Sequence, residues 1–118
     1  MSLSEYVTWL ETQDINESVV SEITMKYHCD LPKIIKKILS SNKETIFLSG
    51  ERRILSYDEV LQAKDQLHVD FIAYGIIPLI DCYDNNFIVY DYKNNTWNMF
   101  NIVDECIFDT KKSLEDFH

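Results

Sequence analysis

The chain has 118 residues, 46% of them hydrophobic and 13% aromatic, which suits one domain spanning residues 1–118 around one core. Its formal net charge of -9 argues against nucleic acid and anionic membranes as ligands, because phosphate binding needs a basic stripe that releases counterions. No run approaches the roughly 18 apolar residues of a membrane span, and residues 1–10 lack the basic start and apolar block of a secretory signal, so a cytoplasmic location is expected.

Helix signals come first. Ser2 and Glu5 form a capping box, and Leu3, Tyr6, Val7 and Leu10 lie on one stripe, which predicts a helix to about Thr12. Asp14 with Glu17 repeats the box pattern ahead of Val19, Val20, Ile23 and Tyr27, a second helix ending near His28. Pro32 suits a first helical turn, and Leu31, Ile34, Ile35, Ile38 and Leu39 carry a third helix over residues 32–41. Lys33, Lys36 and Lys37 lie off that stripe, on a solvated face.

The period then changes. Residues 45–48 and 53–55 flank a polar turn containing Gly50 and read as a small hairpin. Ser56 with Glu59 is a third capping box, opening a helix through Tyr57, Val60, Leu61 and Leu67. From Phe71 onward the pattern is strand-like, with strands expected over residues 76–80, 87–92, 96–101 and 106–108. Ser113 caps a closing helix in SLEDF that the chain end interrupts. Helices first and a mostly antiparallel sheet afterward is an α+β order.

Two breaks in the sheet region carry the candidate site. DCYDNN, residues 81–86, lacks the alternating oxygen ligands, central Gly and closing Glu of a calcium loop, so a strand connection is the default reading. Asn94 and Asn95 suit a two-residue type I′ turn, which would place Tyr92 opposite Trp97, Tyr90 opposite Met99 and Asp91 opposite Asn98. One face then carries Ile88, Tyr90, Tyr92, Trp97 and Met99, the other Phe87, Val89 and Phe100 with Asp91 and Asn98. Either helices cover both faces, or the Tyr/Trp face is open to a partner.

Catalytic and metal patterns are missing. Gly50 and Gly75 cannot supply a phosphate-cradling loop, and His28, His68 and His118 have no partner at helical spacing. His28 and Cys29 are adjacent, so on a helix they point apart. Cys29, Cys82 and Cys106 form no metal spacing and read as reduced, mostly buried thiols. The expectation is a protein without enzymatic activity, metal or cofactor. Charge is blocked along the chain, at -5 over residues 1–30, +1 over 31–70 and -5 over 71–118. A self-repelling soluble surface and a face made for a basic partner both fit that pattern.

Three patterns resemble the SUKH superfamily, which includes yeast cell-wall regulators of the Smi/Knr type and many bacterial immunity proteins. They are the Leu-Pro helix entry CDLPKIIKKIL, the strand-corner-strand segment GIIPLIDCYDNNFIVYDY and the closing SLEDF, which together span residues 31–117. Asn42 and Lys43 stand where the family usually has Asn-Gly, and Asp84, Asn85 and Asn86 where it has Asp-Gly-Asn. The resemblance implies helices packed on a sheet and a non-catalytic role in a polymorphic toxin system. There an immunity protein binds a cognate toxin, a nuclease for instance, and neutralises it; the alternative is a regulatory scaffold of the fungal type that recruits protein partners. A monomer or weak dimer with a basic toxin as partner is expected. The residues expected to meet that partner are Asp81, Tyr83, Asp84, Asp91, Tyr92 and Trp97, with the acidic helices around Glu11, Glu17 and Glu22 as the other location.

Overall fold

A computed structural model describes residues 1–117; His118, read above as an isolated histidine, lies outside the described residues. Three amphipathic helices lead. In α1 (Leu3–Leu10) Ser2 and Glu5 close the expected capping box, and Leu3, Tyr6, Val7 and Leu10 are buried. In α2 (Glu17–Tyr27) the cap is Asn16 rather than Asp14, because the Asn16 carboxamide oxygen accepts from the Ser18 and Val19 N–H groups. His28 ends α2 in the left-handed conformation, φ 53°. In α3 (Lys33–Ser41) Pro32 takes the N-cap position rather than the first helical turn, and Ile35, Ile38 and Leu39 turn inward.

Strands β1 (Ile46–Leu48) and β2 (Arg52–Ile54) form the expected hairpin, turning through Gly50 at φ 79° and Glu51 at φ 61°. Ser56 and Glu59 close a capping box for α4 (Tyr57–Leu61), but the helix expected to reach Leu67 breaks at Gln62 and restarts as α5 (Ala63–Leu67). The segment from Phe71, expected to be extended, begins with one helical turn, α6 (Phe71–Tyr74). Asp70 caps it through the Ala73 N–H and Gly75 ends it at φ 71°, two signals that outweigh four residues of strand-like composition.

The rest is a meander: β3 (Ile76–Asp81), β4 (Asn86–Asp91), β5 (Thr96–Asn101) and β6 (Cys106–Lys111). All six strands pair antiparallel in the order β1-β2-β3-β4-β5-β6, so the chain is an α+β fold. β6 runs three residues beyond its expected end and is exposed over most of its length, with an irregularity in its pairing to β5 and Asp109 at φ 53°. SLEDF gives a 3₁₀ turn (Leu114–Asp116) without a side-chain cap to its backbone, the Ser113 hydroxyl bonding the Asp116 carboxylate instead.

The β4–β5 register differs from expectation by two residues. Asp91 faces Thr96, Tyr90 faces Trp97 and Ile88 faces Met99, which leaves a four-residue loop, 92–95. The Asp91 carboxylate accepts from the Lys93 and Asn94 N–H groups and from the Asn94 side chain, and only Asn95 is left-handed, at φ 55°. That carboxylate-capped loop displaces the two-residue turn. A slip of two preserves the pleat, so strand side chains stay on their expected faces. Both faces are buried: Phe71 and Tyr74 of α6 lie 5.8 and 5.3 Å from the Phe100 ring, while Ile88, Tyr90 and Trp97 are buried on the other side.

Candidate interaction surface

Antiparallel order fixes which connections share an end of the sheet. The turn at 49–51, the corner at 82–85 and the loop at 102–105 lie at one end; the tip at 92–95 lies at the other. β4 separates corner from tip by six residues, roughly 20 Å at the usual strand rise. The six residues expected to meet a partner therefore fall into two groups, one at each end of the sheet.

At the tip, side chains are consumed by the fold. Asp91 is buried and caps its loop. Trp97 is 4% exposed and stacks edge-on with Tyr90 at 5.3 Å. Tyr92 is half-buried, meeting the Tyr27 ring edge-on at 6.2 Å, with its hydroxyl near the Ile72 carbonyl. Burial raises the Tyr92 hydroxyl above its ordinary pKa, and nearby Cys29 and Asp91 add to the shift.

At the corner, side chains face outward. Asp81 accepts the Tyr83 N–H at 3.0 Å and pairs with Arg53 at 3.3 Å. Tyr83, Asp84 and Asn85 follow at φ 76°, 57° and 64°, a left-handed run closed by Cys82 N–H to the Asn86 carbonyl at 2.8 Å. Asp and Asn tolerate that conformation; a tyrosine is strained there by about 1 kcal/mol or more. Its side chain is nonetheless 66% exposed, and Asp84 is exposed beside it.

Two residues outside the expected set complete this end. Phe47, 75% exposed, shares a cleft of about 260 Å³ with Tyr83, Arg53 and Asp81. Val103, 70% exposed, follows Ile102, whose N–H donates to the Asn85 carbonyl at 3.0 Å. The Asn101 side chain donates to Asn86 at 2.9 Å, and Asn101 also accepts the Val103 and Asp104 N–H groups, which fastens the loop to the corner. Reading strands in isolation missed both residues; the signal was the antiparallel strand order, which brings the end of β1 and the 102–105 loop to the same end of the sheet as the corner.

The charge there is mostly acidic and free to face solvent. Glu51, Asp84, Asp104 and Glu105 are exposed, and Glu105 accepts the Tyr74 hydroxyl at 3.0 Å, a hydrogen bond that raises the tyrosine pKa. Arg53 is occupied by Glu59 at 2.9 Å as well as by Asp81, and Arg52 donates to the Phe117 carbonyl. Burial pushes the Glu59 carboxyl up, but hydrogen bonds from the Ser56 N–H, Arg53 and Thr45 outweigh it and hold the group below its usual 4.5.

The remaining reactive groups sit in structural roles. His28 and His68 are exposed left-handed helix caps. All three cysteines are free, and burial raises the Cys82 thiol to about 11 and lifts Cys29 above its ordinary value, so neither is a thiolate at neutral pH. Cys106 is exposed on β6 rather than buried. Among the described residues no cluster of His, Cys, Asp and Glu is arranged to hold a metal ion, and no helix is long and apolar enough to cross a membrane.

No family model matches the chain, and no solved structure matches it. A curated relative is the spindle assembly checkpoint component MAD1 of the yeast Kluyveromyces lactis, 29% identical over 96 residues. The match covers 79% of this chain and 14% of the yeast protein, so the chain spans about a seventh of that relative.

Proposed function

We propose that this chain is a SUKH-like immunity protein that binds a cognate bacterial toxin of basic surface and neutralises it without catalysis. One observation carries the reading: every acidic side chain except Glu59, Asp81 and Asp91 is exposed, on a chain of net charge -9. Such a surface steers a basic protein toward it and suppresses binding of polyanions. If the toxin is a nuclease, its phosphate-gripping surface is the complement, and an acidic inhibitor would occupy the substrate's place. The α+β fold, with Leu31 buried ahead of α3 and an Asp/Asn corner between β3 and β4, agrees with the resemblance that suggested this role.

The test is co-expression. A toxin gene adjacent to this one, induced in a sensitive host, should kill cells lacking the chain and spare cells that make it. Equal killing in both strains removes the neutralisation reading. The second reading, implied by the same resemblance, is a regulatory scaffold of the fungal type that recruits protein partners. Its mark would be co-purification with intact partners whose activity the chain leaves unchanged.

A further inference from the structure

We infer that the three-loop end of the sheet is a docking surface for a basic protein face with a protruding apolar side chain. Three large apolar side chains, Phe47 of strand β1, Tyr83 of the corner and Val103 of the 102–105 loop, are 75%, 66% and 70% exposed there. They are held together rather than scattered: Phe47 and Tyr83 share one cleft, and a backbone hydrogen bond fastens the loop of Val103 to the corner of Tyr83. An apolar group with this exposure, fixed on the ends of a six-stranded sheet, loses little conformational entropy on binding. Apolar anchors ringed by charge are the anatomy of a binding patch rather than of a solvated surface.

Charge selects the occupant. Glu51, Asp84, Asp104 and Glu105 are exposed on the three connections at this end, while the arginines of the cleft are turned to internal partners, Arg53 to Glu59 and Asp81, Arg52 to the Phe117 carbonyl. A partner must therefore bring Lys or Arg around an apolar contact, and an acidic surface is repelled. At the opposite end Trp97 and Asp91 are buried and Tyr92 packs on Tyr27. The inference deepens the neutralisation reading by naming its surface, yet its test is independent of any toxin.

The isotope-labelled full chain would be titrated with a synthetic amphipathic Lys/Leu peptide and with a matched Glu/Leu peptide, following amide shifts. The Lys/Leu peptide should perturb residues 47–51, 83–85 and 103–105, and the Glu/Leu peptide should not. Tyr83→Ser with Val103→Ser should weaken the Lys/Leu peptide at least tenfold while the thermal midpoint stays within a few degrees. Glu11→Gln with Glu17→Gln on the helices should change little. Perturbations centred on α1 and α2, undiminished affinity in the Tyr83/Val103 variant, or equal binding of both peptides would overturn the assignment. Co-expression separates the two claims: Tyr83/Val103 variants that still protect discard the surface and keep neutralisation, whereas an unprotective parent chain that binds the Lys/Leu peptide at the three loops does the reverse.

Discussion

The two ends of the sheet spend the same residue types in opposite ways. At the 92–95 tip, an aspartate, a tyrosine and a tryptophan are turned inward: Asp91 caps the loop, Tyr92 packs on Tyr27 and Trp97 is 4% exposed. At the 82–85 corner, Tyr83 and Asp84 are turned outward from a backbone held left-handed for three residues. The lesson concerns aromatic-acid clusters in general. Adjacency in sequence says that such residues are available, and hydrogen bonding decides whether fold or partner uses them.

Breaking the tip should cost most. Trp97→Ala removes a buried ring packed on Tyr90 and should destabilise the domain by about 3–5 kcal/mol, read as a fall in the denaturant midpoint. Asp91→Ala deletes three hydrogen bonds that close the loop and should cost about 2 kcal/mol in the same measurement. If either variant keeps parental stability, the inward reading of the tip fails.

Acid titration sharpens the contrast at the edge of the corner. Because Glu59 lies below its unfolded value, it contributes stability that is fully present above about 4.5 and is lost as pH falls through its folded pKa. Glu59→Gln should lower stability by about 1 kcal/mol at neutral pH, and flatten the loss below pH 4.5 when melting is followed from pH 6 to 3. The corner itself should respond least. Asn85→Gly relaxes a left-handed position and should leave the domain unchanged or stabilise it by about 0.5 kcal/mol. Tyr83→Ser should shift stability by less than about 1 kcal/mol, since its ring is mostly in solvent.

Capping boxes at Ser2 and Ser56, and the apolar stripes behind them, place α1 and the start of α4, because those signals are local and self-contained. The two-residue strand period assigned Ile88, Tyr90, Trp97 and Met99 to one face and survived a register shift of two. What failed was non-local or competitive. Asn16 outcompeted Asp14 as a cap, Asp91 outcompeted an Asn-Asn turn, and Asp70 with Gly75 turned a strand-like tetrapeptide into a helix. The residues beside the corner were not legible in its own stretch: Phe47 comes from strand β1 and Val103 from the 102–105 loop, both remote in sequence, and only strand order brings them to it.

The uninterrupted strand order also dictates how the molecule assembles in time. Four of the five pairings join strands across turns of three or four residues, whereas β2 and β3 are separated by residues 55–75 with three helices between them. Closing that long connection costs about 1–2 kcal/mol more than closing a hairpin. The β3–β6 meander is therefore expected to form before the barrier, with the β1–β2 hairpin docking after it. Kinetic consequences separate along the same line. Substitutions at Val89 or Phe100 should slow refolding, while those at Leu48 or Ile54 should leave refolding nearly unchanged and speed unfolding, a division that stopped-flow measurements on the four variants can read directly.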